Sequence, residues 1–300
     1  MVEQIWHAGE TELQRRMDVD DRMAEVGKRV IRSYMPEQHR SFFSQLPFIV
    51  IGSVDDDGNA WAGIRSGEVG FIDSPDPQRL RIHGKAIDGD PTELGIKKNA
   101  AIGLLGIEFH SRRRNRMNGL IRAANTDMVE VDVEQSFGNC PKYIHQKQIE
   151  SLHVKPGPPE VLPDSDKRLR TLIESTETFF VSSYADINDK RQVDVSHRGG
   201  EAGFVKVDGN GVLTVPDFTG NNFFSTLGNI YLNNRAGLTF VNWKKNIMLQ
   251  MTGFAEVYIA KTIESSKEEK QRFWKFRPEK ILLQRLLMSG GNGQQLDSLD

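Results

Sequence analysis

The chain has 300 residues, 38% of them hydrophobic and 27% charged, with a formal net charge of −2. That is the balance of an ordinary globular protein, long enough for two domains of roughly 100–200 residues, and it points to neither nucleic acid nor an anionic membrane as partner. A single cysteine, Cys140, excludes an internal disulfide and a cysteine-based zinc cluster.

The first 47 residues read as helical and polar. Met23, Val26 and Val30 form an amphipathic stripe that Pro36 closes. Phe48 to Ser53 is a short β-rich run followed by the turn signal Asp55-Asp56-Asp57-Gly58-Asn59. Further short strands are expected through Gly119, separated by turns at Ser74-Pro75-Asp76-Pro77 and Asp88-Gly89-Asp90-Pro91. Ala100 to Ile107 is apolar but far too short to span a bilayer. The N-terminal residues show no basic region followed by an apolar run, so a cytoplasmic protein is expected. Between Lys155 and Asp166 a cluster of Pro156, Pro158, Pro159 and Pro163 with Gly157 suits an extended linker. Leu169, Leu172, Ile173 and Thr176 then mark a short helix that Asp164 or Asp166 could cap, and Phe179 to Ser183 is a strand like Phe48 to Ser53. The segment after Lys261 is expected to be helical, with Glu264 to Lys270 as a solvated face and a polar, glycine-rich end suited to disorder.

The pattern repeats. Arg65-Ser66-Gly67-Glu68-Val69-Gly70-Phe71-Ile72 aligns with Arg198-Gly199-Gly200-Glu201-Ala202-Gly203-Phe204-Val205, and Leu94-Gly95 meets Leu227-Gly228 in the same register. With one residue of slip, Gly103-Leu104 meets Gly237-Leu238 and Gly119 meets Gly253. Short strands with close turns suit small antiparallel barrels rather than a βαβ sheet.

The second copy carries an ordered set of motifs: Asp194-Val195-Ser196-His197-Arg198-Gly199-Gly200, Gly203-Phe204-Val205, Pro216-Asp217-Phe218-Thr219-Gly220-Asn221-Asn222, Ser225-Thr226-Leu227-Gly228-Asn229 and Gly253-Phe254-Ala255. Across most of residues 170–257 it resembles the FMN-binding split-barrel family related to pyridoxamine 5′-phosphate oxidase. Gln135-Ser136-Phe137-Gly138-Asn139-Cys140-Pro141-Lys142-Tyr143-Ile144 looks like a further motif of its two-copy members. The resemblance implies a mainly β chain with flanking helices: tandem split β-barrels of the FMN-binding type forming an intrachain pseudo-dimer, with FMN between them. The expected division is an N-terminal helical segment plus degenerate barrel over 1–154, a Pro-rich linker over 155–166, and an FMN-binding barrel with a helical tail over 167–300. The Arg-x-His element that grips pyridoxal phosphate in the true oxidase has no counterpart in Phe276-Arg277-Pro278-Glu279-Lys280, so vitamin B6 oxidation is not expected.

FMN brings a phosphate dianion and a flat ring with a polar edge, which call for cations, hydroxyls, close-approach glycines and a ring wall. On one strand Asp194, Ser196 and Arg198 share a face; Ser196 and Arg198 could reach one phosphate while Gly199 lets the backbone approach. His197, on the apolar face, reads either as a satisfied interface histidine or as a partner for the ring edge. Pro216, Asp217, Gly220, Asn221 and Asn222 complete the second copy's contribution, the two asparagines serving as ligand contacts or as caps of a helix over Phe223 to Leu232. Gln135, Ser136, Asn139, Cys140, Lys142 and Tyr143 would come from the first copy, with Cys140 either a redox thiol or an inert one. In the first copy Gly63-Ile64-Arg65 and Ala86-Ile87-Asp88-Gly89 replace Ser196-His197-Arg198 and Thr219-Gly220-Asn221-Asn222, and Asp88 would repel a phosphate. That copy therefore reads as degenerate. Arg112-Arg113-Arg114-Asn115-Arg116 aligns with Trp243-Lys244-Lys245-Asn246 as a solvated hairpin turn, with a phosphorylated ligand as the alternative.

The leading expectation is an FMN-dependent oxidoreductase passing hydride through flavin to a small acceptor. A small-molecule substrate or electron donor, NAD(P)H among the candidates, would have to stack on the flavin, since no Gly-x-Gly-x-x-Gly stands between a strand and a helix. A binding protein for flavin, deazaflavin or haem without turnover is the alternative, and a structural role with a vestigial site is a third. A homodimer remains open.

Overall fold

The computed structural model describes residues 5–149, 151–154, 157–220, 222–264 and 267–289. Three helices come first: α1 (Ala8–Arg16), α2 (Asp20–Val30) and α3 (Glu37–Ser44). Seven strands follow: β1 (Phe48–Val54), β2 (Ala60–Ser66), β3 (Ile72–Asp76), β4 (Arg79–His83), β5 (Ala101–Glu108), β6 (Arg113–Ala124) and β7 (Met128–Gly138), with a 3₁₀ turn at Pro91–Gly95. The short strands β8 (Ser151–Val154) and β9 (Glu160–Val161) lead to α4 (Arg168–Glu174). The second set is β10 (Thr178–Ile187), β11 (Lys190–Gly199), β12 (Lys206–Val207), β13 (Leu213–Pro216), α5 (Ser225–Asn233), β14 (Arg235–Asn242), β15 (Ile247–Glu264) and β16 (Lys267–Ser289).

The two sheets have one topology. The first runs β2-β1-β5-β6-β7-β4-β3 and the second β11-β10-β14-β15-β16-β13-β12. The repeat register read from the sequence holds in three dimensions. Arg65 faces Ile49 as Arg198 faces Phe179, and Gly103 lies opposite Gly52 as Gly237 lies opposite Ser182. Both copies slip register at the same place, between Asn118 and Gly119 and between Thr252 and Gly253. A Cβ on Gly119 would meet Asp132 O at 1.9 Å, and one on Gly253 would meet Arg277 O at 2.1 Å. Glycine is required there because a bulge brings the neighbouring backbone too close for a side chain. The chain is thus mainly β, two tandem split barrels forming an intrachain pseudo-dimer.

Strand β1 is buried along its whole length, because each of its faces has a partner. Ile49 and Ile51 enter the first barrel's core with Leu80, Ile102 and Leu104. Phe48 and Val50 enter a separate interface layer with Leu105, Ile107, Phe109, Phe180, Val195 and Met248. Strand β10 divides in the same way, Phe179 and Val181 joining the second core with Leu238, Met251 and Trp274 while Phe180 faces the interface. Period-2 alternation therefore separates barrel core from interface rather than core from solvent.

Two expectations are corrected. The segment after Lys261 is strand rather than helix: Trp274 and Phe276, two apart, both reach the second core, and Pro278 sits at the register shift, where its missing N–H is tolerated. Glu264 pairs antiparallel with Lys267 instead of sharing a helix face with it; Ser265, Ser266 and the polar end over 290–300 lie outside the described residues. At α4 the N-cap position is Lys167, which makes no side-chain cap bond, and Asp166 accepts instead from the Arg168 amide at 2.8 Å. In the Pro-rich stretch, Lys155 and Pro156 lie outside the described residues, Pro158 and Pro159 pack on Gly89, and β9 pairs with β16. β8, from the segment expected to belong with the first barrel, also pairs with β16. Among the described residues no helix is long and apolar enough to cross a membrane.

The barrels meet backbone to backbone. A Cβ on Gly103 would meet the Val193–Val195 backbone at 2.9 Å, and one on Gly237 would meet Ala60 O at 2.2 Å. Gly237→Ala is accordingly expected to cost about 1–3 kcal/mol, read as a lower urea midpoint. A midpoint equal to that of the native protein would show that the strands can separate freely.

Candidate functional site

Alternation along two strands from different barrels builds the site. On β6 Arg114, Arg116 and Asn118 face the second barrel; on β11 Asp194, Ser196 and Arg198 face them. Arg116 Nη1 donates to Asp194 Oδ1 at 2.9 Å, and Arg116 Nη2 donates to Ser196 Oγ. Asn118 Nδ2 reaches the same Asp194 oxygen at 2.7 Å. Thr226, at the start of α5, donates to Ser196 Oγ at 2.9 Å. Arg198 Nη1 donates to Asp217 Oδ1 at 2.8 Å, and Arg272 on β16 pairs with the other Asp217 oxygen at 3.2 Å.

Arg114, Arg116, Ser196, Arg198, Asp217, Thr226 and Arg272 line a cavity of about 110 Å³ together with Asn139, Cys140, Lys142, Tyr143, Gly220 and Asn222. Liquid water occupies ~30 Å³ per molecule, so the space suits a group of phosphate size. At its edge Tyr143 of the first copy stacks on Phe218 of the second, ring centres 5.1 Å apart, and Tyr143 donates to Thr219 O at 3.1 Å.

Positive charge exceeds negative here. Arg114, Arg116, Lys142, Arg198 and Arg272 line the cavity and Asp217 is the one carboxylate among its lining residues, with Asp194 behind it. Arg114 meets no carboxylate in the described structure: it donates to Cys140 O at 2.9 Å, His197 Nδ1 at 2.9 Å and His197 O at 3.3 Å. Burial, with Arg116 and Arg198 nearby, pulls its guanidinium down to about 10. The Nε atoms of Arg116 and Arg198 are buried and meet no partner among the described residues. A guanidinium can only donate, so His197 Nδ1 accepts and the neutral ring carries its proton on Nε2. That atom also meets no partner among the described residues. Burial first, then Arg114 and Arg198, hold His197 well below its ordinary value.

The N-terminal helix closes the back of the site. His7 Nε2 donates to Asn229 Oδ1 at 2.8 Å, and Asn229 Nδ2 donates to Asp194 Oδ2 at 3.3 Å. Glu10 accepts from the His7 amide at 3.0 Å and hydrogen-bonds Ser225. A Cβ on Gly9 would meet Gly228 O at 2.2 Å, so α1 and α5 cross at glycines.

Twelve of the fifteen residues expected from the sequence line this cavity: Asn139, Cys140, Lys142, Tyr143, Ser196, His197, Arg198, Gly199, Pro216, Asp217, Gly220 and Asn222. Asn221 lies outside the described residues. Gln135 and Ser136 are elsewhere: Ser136 is buried against His39 Nδ1 at 2.8 Å, and Gln135 accepts from Asn118 at 3.4 Å. Asn222 does not cap α5, whose N-cap position is Phe224; its Oδ1 accepts from Arg272 at 3.4 Å.

The basic run is corrected. Arg112 in the turn and Arg113 at the start of β6 are exposed, whereas Arg114 and Arg116 turn inward. The signal was present as the period-2 spacing of Arg114, Arg116 and Asn118, masked by reading the run as one block. Arg272 was missed with the strand that carries it, and the N-terminal contribution of His7 and Glu10 had no local sign at all.

No protein-family model and no curated protein matches the chain. Among solved structures, a putative pyridoxamine 5′-phosphate oxidase from Corynebacterium glutamicum is 16% identical, covering 46% of this chain and 99% of its own, with a TM-score of 0.28. General Stress Protein 26 from Bacillus anthracis is 14% identical over 41% of this chain and 97% of its own, TM-score 0.29. An FAD binding protein from Mycobacterium smegmatis is 11% identical over 44% of this chain and 100% of its own, TM-score 0.27.

Burial, then the charge of Asp194, push Glu10 from the ordinary 4.5 up to about 8. Between those values the folded chain keeps a proton that the unfolded chain has released, so this group's contribution to stability falls as pH rises through that window. Glu10→Gln is expected to remove the slope and to be more stable than the native protein above pH 8 in urea denaturation. An unchanged pH profile would mean that water reaches the carboxyl.

Proposed function

We propose that the cavity takes the phosphate of FMN and that the chain is an FMN-dependent oxidoreductase of the pyridoxamine-phosphate-oxidase-like kind, not a vitamin B6 oxidase. The observation that carries the phosphate is the surplus of inward-facing guanidinium: among the described residues Arg114 meets no carboxylate, and Arg116 and Arg198 each have an unused Nε. A dianion supplies the missing acceptors and charge, and charge-assisted bonds to it are the strong ones. The flavin part rests on the ordered motifs from Asp194 to Ala255.

Bound FMN would supply the capacity to accept and pass on hydride. The chain's residues bind and orient. Asp194 holds Arg116 toward Ser196; Asp217 does the same for Arg198 and Arg272. His197 stays neutral, so its Nε2–H can donate but the ring adds no charge. Tyr143 and Phe218, stacked at the cavity's edge, would offer the ring an aromatic wall. That aromatic closure also suits a second role, holding FMN without turnover. Bleaching of bound flavin by a reduced donor such as NADH or NADPH and its recovery with an acceptor separate the two.

Titration of the apoprotein with FMN, followed by visible absorption with FAD as control, is expected to saturate at one FMN per chain. Arg116→Met and Arg198→Met should each weaken binding by roughly 10- to 100-fold. A protein that ignores FMN would remove this function.

A further inference from the structure

Both copies carry the parts of an anion site, and in one of them the anion belongs to the chain. In the second copy Arg198, Ser196, Gly220 and Thr226 line the cavity, with Arg116 crossing over from the first copy. The repeat register places Arg65, Gly63, Ile87 and Glu93 at the equivalent positions of the first copy, with Gln250 crossing over from the second. Gln250 is the counterpart of Arg116 by strand pairing, opposite Thr239 as Arg116 is opposite Leu105. It donates to Ala62 O at 3.0 Å and to Asp90 Oδ1 at 3.1 Å.

At the position of Thr226, then, the first copy has a carboxylate. Glu93 takes a hydrogen bond from the Arg65 guanidinium and accepts from the Ile87 amide at 3.4 Å, Ile87 being the counterpart of Gly220. Arg65 is only 3% exposed, so it needs a buried anion. Asp90, one turn away, accepts from the Thr92 amide at 2.9 Å and hydroxyl at 2.7 Å as well as from Gln250. Asp88, expected to repel a phosphate, is exposed and outside this arrangement. In the second copy the residue at this place is a threonine, and the anion beside Arg198 is Asp217, which it shares with Arg272. The first copy has Gly84 where the second has Asp217.

We infer that the first barrel retains an oxyanion site whose occupant is its own Glu93, and that Thr226 is the residue that leaves the second barrel's site open for a phosphate from outside. A guanidinium with a backbone amide accepts carboxylate or phosphate oxygens alike. What separates an internal ligand from an external one is the length and charge of a single side chain at the start of α5 or of its 3₁₀ counterpart. The first half of this inference stands on the two copies alone; the half concerning Thr226 rests on the proposed FMN site.

The experiment exchanges the two residues. Glu93→Thr should melt below the native protein and recover with inorganic phosphate, saturably and by more than the native protein gains. The added recovery should vanish when Arg65→Met is combined with it. A folded Glu93→Thr protein that gains no more from phosphate than the native chain would overturn the built-in ligand. Thr226→Glu should leave far-ultraviolet circular dichroism and melting temperature at native values or above while weakening FMN by roughly 100-fold, since like charges repel. Native FMN affinity in that folded variant would overturn the role of Thr226. Should Glu93→Thr fail to fold, the Thr226→Glu result decides. Should the native chain not bind FMN, the proposed function fails while the phosphate response of Glu93→Thr still stands as a test.

Discussion

Asp194 is a buried carboxylate, and the structure is arranged so that it is not left alone. It accepts from Arg116 and Asn118 of the first barrel and from Asn229 of α5, and Asn229 is held in turn by His7 of the N-terminal helix. Removing one partner of such a pair leaves an uncompensated charge, a loss of about 3–5 kcal/mol. One side chain thereby links three parts of the chain that are far apart in sequence. The candidate site lies on the open side of the same contact, where Arg116 also reaches Ser196.

That contact needs close approach, and glycine provides it. Gly103 and Gly237 allow each barrel's strand to lie against the other's backbone, and Gly9 with Gly228 does the same for α1 on α5. With the strands this close, arginines on β6 reach directly across to β11. The apolar interface layer of Phe48, Val50, Phe180 and Val195 keeps water from screening the charges. Packing and electrostatics are therefore one arrangement: the glycines set the distance at which the arginines act.

Pseudo-symmetry makes the asymmetry readable. The copies share strand order, bulge and register, so a difference at one aligned position has a local cause. Arg116 against Gln250 and Thr226 against Glu93 both make the second site the more positive of the two. In the first copy Glu93 supplies the buried Arg65 guanidinium with the anion that its burial calls for.

The sequence by itself determined the repeat, the strand order's alternation and most of the second copy's contribution to the site, because those signals are local. Ser196 and Arg198 are two apart on one strand, Gly119 and Gly253 mark the same bulge, and the turn at Asp55–Asn59 is closed by Asp55 accepting from the Asp57 and Asn59 amides. It misled where local spacing was ambiguous. Phe273, Phe276 and Ile281 fit a helical period, while the strand is defined by Trp274 and Phe276 facing the core. Only the tertiary structure decided that Arg114 turns inward and Arg116 is buried, that Arg272 meets Asp217, and that Glu10 lies behind Ser225. The reason is physical: a charged residue looks the same in sequence whether its partner is water or a carboxylate many residues away. Which of the two it meets is set by the approach of two barrels, a distance that no stretch of sequence contains.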